Sequence, residues 1–409
     1  MSAWETARLG DVVDIFDHKR VPLSSAQRTT RKGPFPYYGA QGVIDHIDDF
    51  IFDGRFILVP EDGENLRSRK LPIAYFAEGQ FWVNNHAHII KAKPGLAVDR
   101  FVQSAIEATS IGAWVTGAAQ PKLSQANLRE IPVLLPSYRD QQLISSILDA
   151  FDDLIENNRR RVEVLEEMAR TIYCEWFVHF RYPGHESTTL VETDVRAIPQ
   201  DWAVGTIGSL GTVVTGATPS PSEAAYWGSA GETPFLTPSE MSMDRLWAQP
   251  ARFLSDDGVS SVRKRLLPAG AVCFVCIGAT IGKIAVTVRP TVTNQQVNSL
   301  IVDETVSTAA YAFHALNGVV DVVRSAAGGA ATPIINKSAF SAIEITVPQV
   351  AIAQAFGRAV DPLHQAVVTL ERQNDVLAIQ RDIVLPKLVT GQIDVSTLDL
   401  DALVDGSVA

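Results

Sequence analysis

The 409-residue chain is 46% apolar and 20% charged with a formal net charge of −11, a balance that excludes fibrous and disordered classes and fits a globular protein of two or three domains. No apolar run reaches the roughly 20 residues needed to cross a bilayer, and the opening residues Met1 to Glu5 lack the basic and apolar regions of a signal peptide. Three cysteines cannot make a disulfide framework, so the expected address is the cytoplasm, with no membrane partner.

The acid is unevenly spread. Residues 1–136 hold 15 basic and 15 acidic side chains and residues 201–347 hold 9 and 11, whereas residues 137–200 hold 7 and 12 and residues 348–409 hold 4 and 8. Two nearly neutral blocks therefore alternate with two acidic segments.

The first block opens with Trp4-x4-Leu9-Gly10 and Val12-Val13. Phe56 to Val59 and Phe81 to Val83 read as short strands bounded by Gly, Pro and Asp, and residues 101–115 read as helix. From Pro136 onward, Ile144, Leu148, Phe151, Ile155, Asn158, Val162, Leu165, Ala169, Ile172 and Trp176 recur at alternating steps of four and three. That is a heptad seam on a helix from about Arg139 to about Val178, and such a stripe needs a partner helix. A linker from Tyr182 to Gln200 shows no periodicity.

The second block repeats the first in order. Trp202-x4-Ile207-Gly208 restates the opening, Thr293 to Leu300 restates Val83 to Ile90 at an offset of 210, and Gly328 to Pro333 restates Thr116 to Pro121 at 212. Such an ordered series points to an internal duplication, with about fourteen extra residues placed mostly before Asn294. The run Ala271 to Ile277 and the run Ile284 to Val288 read as strands, and residues 308–326 as helix. Adding 212 to the heptad seam gives Phe356, Val360, Leu363, Val367, Leu370, Asn374, Leu377, Arg381, Val384 and Leu388, a second long helix. Asp361-Pro362 should kink or restart it, with Asp361 as a cap, and Pro386 should end it, and the acidic tail from Asp394 should be disordered. An antiparallel pairing of the two stripes sets Asn158 opposite Asn374, so these two side chains are expected within hydrogen-bonding reach, fixing the register. The expected fold class is α+β: two mixed α/β blocks separated by two long antiparallel helices, with an internal pseudo-twofold repeat.

Catalytic signatures are missing. Gly278 to Ile284 has one residue too few for a phosphate loop and Ile284 where a magnesium-binding hydroxyl is needed, so a strand turn is the better reading. Cys273-x-x-Cys276 has no second cysteine pair and reads as buried structure, and no metal site is expected.

Together these features resemble the specificity subunits of type I restriction-modification systems. The residues that carry the likeness are Trp4-x4-Leu9-Gly10, Ile131-x4-Pro136 with Gln142, Ile144-x3-Leu148-Asp149, Ile155-Glu156-x-Asn158, Leu165-Glu-x-Met168-Ala169 through Trp176-Phe177, and Leu385-Pro386-Lys387-Leu388 with Gly391. The resemblance implies a target recognition domain at 1–136, a spacer helix at 137–182, a linker at 183–200, a second recognition domain at 201–347, a second spacer helix at 348–390 and a tail at 391–409. It also implies a chain without catalysis of its own that binds double-stranded DNA at a bipartite asymmetric target. Its partners would be two methyltransferase subunits and, where the system also cleaves DNA, two restriction subunits. S-adenosylmethionine would sit on the methyltransferase, and ATP and Mg on the restriction subunit, with no cofactor on this chain.

Under that reading, phosphate contacts call for cations and base edges for Arg, Asn, Gln or Ser on a rigid frame. The basic candidates are Lys19, Arg20, Arg28, Arg31 and Lys32, then Arg67, Arg69 and Lys70, then Arg263, Lys264, Arg265 and Lys283. The polar strand segments supply Asn84, Asn85, His86 and His88, with Asn294, Gln295, Gln296 and Asn298 as their repeats. Gln120, Lys122, Thr332 and Lys337 flank the Ala-Ala-x-Pro loops. The acidic total also fits a coiled-coil adaptor that joins proteins without touching DNA, and an enzyme with an unrecognised site is a third class.

Overall fold

The computed structural model describes residues 4–193, 197–243, 245–328 and 333–396, and the chain divides into two compact units. Unit 1 comprises residues 1–155 and 375–409, and unit 2 comprises residues 156–374.

Unit 1 contains two four-stranded sheets and one two-stranded ribbon. Glu5–Arg8 pairs antiparallel with Pro132–Leu135, closing the block's start onto its end. The first sheet runs Val13–Ile15, Ala87–Ala92, Phe56–Pro60, Tyr75–Ala77. The second runs Gly42–Ile47, Lys32–Gly39, Gln80–Val83, Phe52–Asp53. The helix Asp99–Ala108 buries Phe101, Val102, Ala105 and Ile106 at helical spacing in a core with Leu9, Ile57, Val59 and Ile90.

Unit 2 repeats this plan. Ala203–Thr206 pairs with Glu344–Val347. One sheet runs Gly211–Thr215, Val297–Val302, Val272–Val275, Ile284–Val286, and the other runs Trp227–Gly228, Arg252–Leu254, Thr233–Leu236, Val292–Thr293. In both units the second sheet holds one parallel pair, Tyr37 with Trp82 and Phe235 with Val292. Only the added edge strand differs: it sits beside Gln80–Val83 in unit 1 and beside Arg252–Leu254 in unit 2.

The first long helix, Tyr138–Tyr173, starts at Ser137, whose hydroxyl accepts from Asp140 N at 3.1 Å. It continues through a π-helical turn, Cys174–Val178, where His179 N reaches Cys174 O. The second, Val350–Val389, runs without a break through Pro362. The helix therefore does not restart at Asp361-Pro362: a proline inside a helix removes one backbone bond, and the packing of Phe356, Val360 and Val367 in the unit 2 core holds the helix on both sides of it. Pro386 does not end the helix either. Its carbonyl accepts from Thr390 N at 3.2 Å, and Gly391, at φ +72, closes the helix in the left-handed region that favours glycine.

Within each unit the helix segments run antiparallel. In unit 1, Ile144 and Leu148 share a core with Leu388 and Val389, and Asp152 binds Arg381. In unit 2, Val162 and Ala169 share a core with Val360, Val367 and Leu370, and the Trp176 ring meets Phe356 edge-on at 5.9 Å. Trp176 with Phe356 is the pairing expected from the heptad stripes, and the same register places Asn158 and Asn374 in one layer. The expected hydrogen bond between them is not formed. Both residues are buried, and neither amide atom of Asn374 has a partner.

Within the stretch read as a linker, Leu190–Val191 pairs with Ile198–Pro199, and at its edges Tyr182 stacks on Trp202 at 5.3 Å. In the tail, Val395 is buried in the unit 1 core; residues 397–409 lie outside the described residues.

Candidate nucleic-acid interface

In each unit the chain passes from the second sheet to the first through one short turn, residues 84–86 in unit 1 and 294–296 in unit 2. Asn84 N donates to Tyr38 O, and Asn294 N donates to Leu236 O, each at 3.0 Å. The buried asparagine then caps its own turn: Asn84 Oδ1 accepts from His86 N at 2.8 Å, and Asn294 Oδ1 from Gln296 N at 3.1 Å.

Two more segments pack beside the turn by the same backbone bonds in both units. Glu61 N donates to His86 O at 2.8 Å, as Cys276 N does to Gln296 O at 2.9 Å. Leu123 N donates to Glu61 O at 2.8 Å, as Ile335 N does to Cys276 O at 3.0 Å. Gly63 N donates to Pro121 O, as Gly278 N does to Pro333 O, and both glycines hold positive φ, +113 and +67, a turn geometry that a Cβ would strain. Each unit thus carries one corner frame made of three segments.

The side chains on that frame differ. In unit 1, Arg20 donates to Glu61 at 2.8 Å and to the carbonyls of Asn85 and Ala87. Lys122 pairs with Glu61 at 3.3 Å, and His86 Nδ1 lies 2.7 Å from Asp62 Oδ2. Beneath them, buried His88 lies 2.6 Å from Asp17 and 2.8 Å from Leu123 O. Burial pushes the Asp17 carboxyl up, but its bond and attraction to His88, the Ile89 amide and Arg20 hold it below the usual carboxylate value. Burial likewise raises Glu61, and Arg20, His88 and Lys122 bring it below its ordinary value.

In unit 2 the matching positions carry no charge. Thr215 donates to Asn298 at 2.7 Å where Asp17 meets His88, and Asn298 Nδ2 donates to the Cys276 sulfur at 3.2 Å. Thr218 donates to Gln295 at 2.7 Å, where unit 1 has Arg20. Ile277 bridges Ile334 as Asp62 bridges Lys122. Burial pushes the Cys273 and Cys276 thiols up to about 11 and about 12, so both stay protonated, and no group of three His, Cys, Asp or Glu among the described residues could hold a metal ion.

The structure brings Arg20, Asn85, His86 and Lys122 to one corner, with Arg67 tied to its loop through the carbonyls of Gly117 and Ala118. Gln120 is exposed on that loop. Gln295 is exposed and Gln296 half-buried on the unit 2 corner, and Lys337 is exposed at the start of the helix Lys337–Ser341. Thr332 lies outside the described residues.

Several candidates take structural positions instead. His88 and Asn298 are buried beneath the corners, Asn84 and Asn294 cap the turns, and Lys283 donates to Pro238 O at 2.7 Å. Arg20 is only 16% exposed and spends its donors on protein acceptors. The basic stretch 18–32 holds no acid of its own, but the fold brings acids to it: Arg28 and Lys32 bind Asp45, and Arg31 binds Asp48 and Asp49, supplied by a neighbouring strand and the turn after it. Lys19 is exposed with its ammonium 5.3 Å from the Phe16 ring centre. Arg69 donates to the carbonyls of Thr109 and Glu107 and lines, with Lys70, a separate cleft of about 850 Å³. Arg263, Lys264 and Arg265 stand exposed on a 3₁₀ turn with no ion pair among the described residues. Glu61, Asp62, Asp17 and Thr218 were missed because acids and a lone threonine give no DNA-binding signal until the fold sets them on the corner.

One polar corner, built twice on the same backbone and dressed differently each time, defines a duplicated protein with two unlike binding surfaces. The chain belongs to the type I restriction-modification DNA specificity domain family, whose family model matches residues 1–167 and again residues 199–377. It is 26% identical over 331 residues to the type I restriction enzyme HindI specificity subunit of Haemophilus influenzae, covering 67% of this chain and 71% of that one. It is 25% identical over 284 residues to the MjaIX specificity subunit of Methanocaldococcus jannaschii, covering 69% of this chain and 65% of the relative, a little under two thirds of its length. The crystal structure of a type I restriction-modification S subunit from M. genitalium shares the fold, with a TM-score of 0.61 and 16% identity over 94% of this chain and 96% of that one.

Proposed function

We propose that this chain is the DNA-specificity subunit of a type I restriction-modification complex and that each unit reads one half of a bipartite, asymmetric target. The observation that carries this reading is the repeated corner frame: one backbone, displayed twice, with two different sets of polar side chains. A single surface repeated unchanged would suit two identical half-sites, whereas two different sets suit two different ones. Asn85, His86, Lys122, Gln120, Gln295 and Gln296 are the contact residues of the corners. Lys19, Arg67, Arg263, Lys264, Arg265 and Lys337 are exposed cations suited to phosphates.

The chain performs no chemistry itself in this reading. It recruits two methyltransferase subunits, which bring S-adenosylmethionine, and in systems that cleave DNA two restriction subunits, which use ATP and Mg. The two long helices are the platform and set the spacing between half-sites, and the complex works in the cytoplasm. Methylome sequencing of a host with and without the gene tests this: a split, asymmetric adenine-methylated motif should vanish on deletion. A motif that persists, or one that is continuous or palindromic, would overturn it.

A further inference from the structure

The two corners share a backbone and differ in chemistry, both in the support beneath, where Asp17, His88 and Glu61 stand against Thr215, Asn298 and Cys276, and at a few displayed positions. Asp62, His86 and Lys122 of unit 1 correspond to Ile277, Gln296 and Ile334 of unit 2 by their places in the frame. Asn85 and Gln295 both carry an amide and do not separate the units.

Base edges in the major groove differ in kind. Guanine presents two acceptors and its partner cytosine a donor, while adenine presents a donor beside an acceptor and thymine a methyl group. In unit 1, the Lys122 ammonium supplies donors, and the Asp62 carboxylate beside His86 supplies an acceptor. That set matches a G·C pair. In unit 2, Gln296 offers both a donor and an acceptor, and Ile334 is an exposed apolar side chain that suits a thymine methyl. That set matches A·T pairs.

Both amides of unit 2 are held in place. Gln295 Oε1 accepts from Thr218 at 2.7 Å, and Gln296 Oε1 accepts from Asn294 Nδ2 at 3.1 Å, so their geometry is fixed before DNA arrives. In unit 1 the matching restraints are a hydrogen bond between Asp62 and His86 and an ion pair between Glu61 and Lys122. Asn84 and Asn294 act as positioning residues, since each bonds the backbone of its own turn.

We infer that the half-site read by unit 1 contains a G·C pair under the His86–Lys122 corner and that the half-site read by unit 2 is A·T at the positions under Gln296 and Ile334. This rests on the reading of the chain as a DNA-specificity subunit. It assigns base classes to named residues and predicts that the corners are exchangeable.

The test exchanges them. The full chain, co-purified with its methyltransferase subunit, selects from a pool of duplexes carrying randomised base pairs. One variant, Asp62→Ile with His86→Gln and Lys122→Ile, puts the unit 2 set on the unit 1 corner. The reciprocal variant, Ile277→Asp with Gln296→His and Ile334→Lys, does the opposite. Thermal melting reports whether each variant folds; if one does not, the other carries the test.

The expected result is a split motif for the parent chain, one half containing a G·C pair and the other A·T. The first variant should lose the G·C preference in one half only, by roughly tenfold or more, with the other half unchanged. The reciprocal variant should shift the other half toward G·C. Halves of like composition in the parent, or variants that alter both halves or neither, would overturn the inference while leaving DNA specificity standing. If the parent chain selects no split motif, the reading of the chain as a specificity subunit falls with it.

Discussion

Arg381, on the second long helix, donates to Asp152 on the first over 2.8 Å. In the heptad stripe Arg381 is the one charged interruption, and the structure shows what it is for. Asp152 also accepts from Arg100 at 2.5 Å, and Arg100 is itself only 9% exposed and lies 3.1 Å from Asp149. One carboxylate therefore serves two guanidiniums. Asp152→Ala should destabilise the chain by about 2 kcal/mol, because it leaves two cations without their shared partner. Arg381→Met should cost about 1 kcal/mol or less, since the methionine continues an apolar seam. Urea titration gives both numbers, and a larger cost for Arg381→Met would refute this account.

Asn374 is buried with neither amide atom bonded. An unpaired buried amide is a cost without a return, so Asn374→Leu should raise stability by about 1 kcal/mol. A fall in the melting temperature would show that the amide contributes to the folded state.

The pair formed by buried His314 and half-buried His364 makes stability depend on pH. Their rings stack at 5.4 Å beside Tyr173, Phe313 and Phe356. Burial lowers His364 to about 4, and burial, aided by the charges of His364 and Arg170, lowers His314 to about 3. The unfolded chain takes up protons below its ordinary histidine value of about 6.5 while the folded chain does not. The stability linked to this pair is therefore fully present above about 6.5 and is lost as pH falls from there toward 4 and then 3. Melting temperatures measured at pH 7.5 and pH 5 should differ less in a His314→Phe, His364→Leu variant than in the parent; an unchanged difference would reject the assignment.

Asp17 and His88 form a unit that Thr215 and Asn298 replace in the repeat. His88→Asn alone or Asp17→Thr alone should cost roughly 2–3 kcal/mol, because each strands a buried polar partner. The double variant should cost less than the sum, with a coupling of about 1–2 kcal/mol. Strict additivity in a double-mutant cycle would show that the pair is not coupled.

A spacer role for the helices has a geometric signature. Four residues inserted into each long helix add about one turn, roughly 5.4 Å, against about 3.4 Å per base pair along the duplex. The gap in the methylated motif should lengthen by one to two base pairs, as read by methylome sequencing, and an unchanged gap would end the spacer reading.

Much of this organisation was legible before any coordinates. Repeats at fixed offsets exposed the duplication, because packing twice on one plan preserves the order of Trp, Gly, Pro and Asn landmarks. The alternating three-and-four spacing exposed the helix pair and its register, which Trp176 and Phe356 confirm. What escaped were facts that depend on distant partners. Residues 18–32 look like an unopposed basic stretch until the fold brings up Asp45, Asp48 and Asp49. Pro362 looks like a helix breaker, but a local rule is outweighed where the same helix is buried on either side. His88 and Asn298 look available because strand alternation leaves open which face meets the core, and both turned inward. The charge swap between the corners was hidden because Asp62 and Ile277 share no sequence likeness; only the matching backbone bonds align them.

The bonds that tie Glu61, Gly63 and Leu123 into the unit 1 corner, and Cys276, Gly278 and Ile335 into the unit 2 corner, join main-chain atoms alone. Such bonds are indifferent to which side chains stand above them. If the chain reads DNA through these corners, as proposed, the displayed side chains can therefore change while the main-chain frame that holds them stays the same.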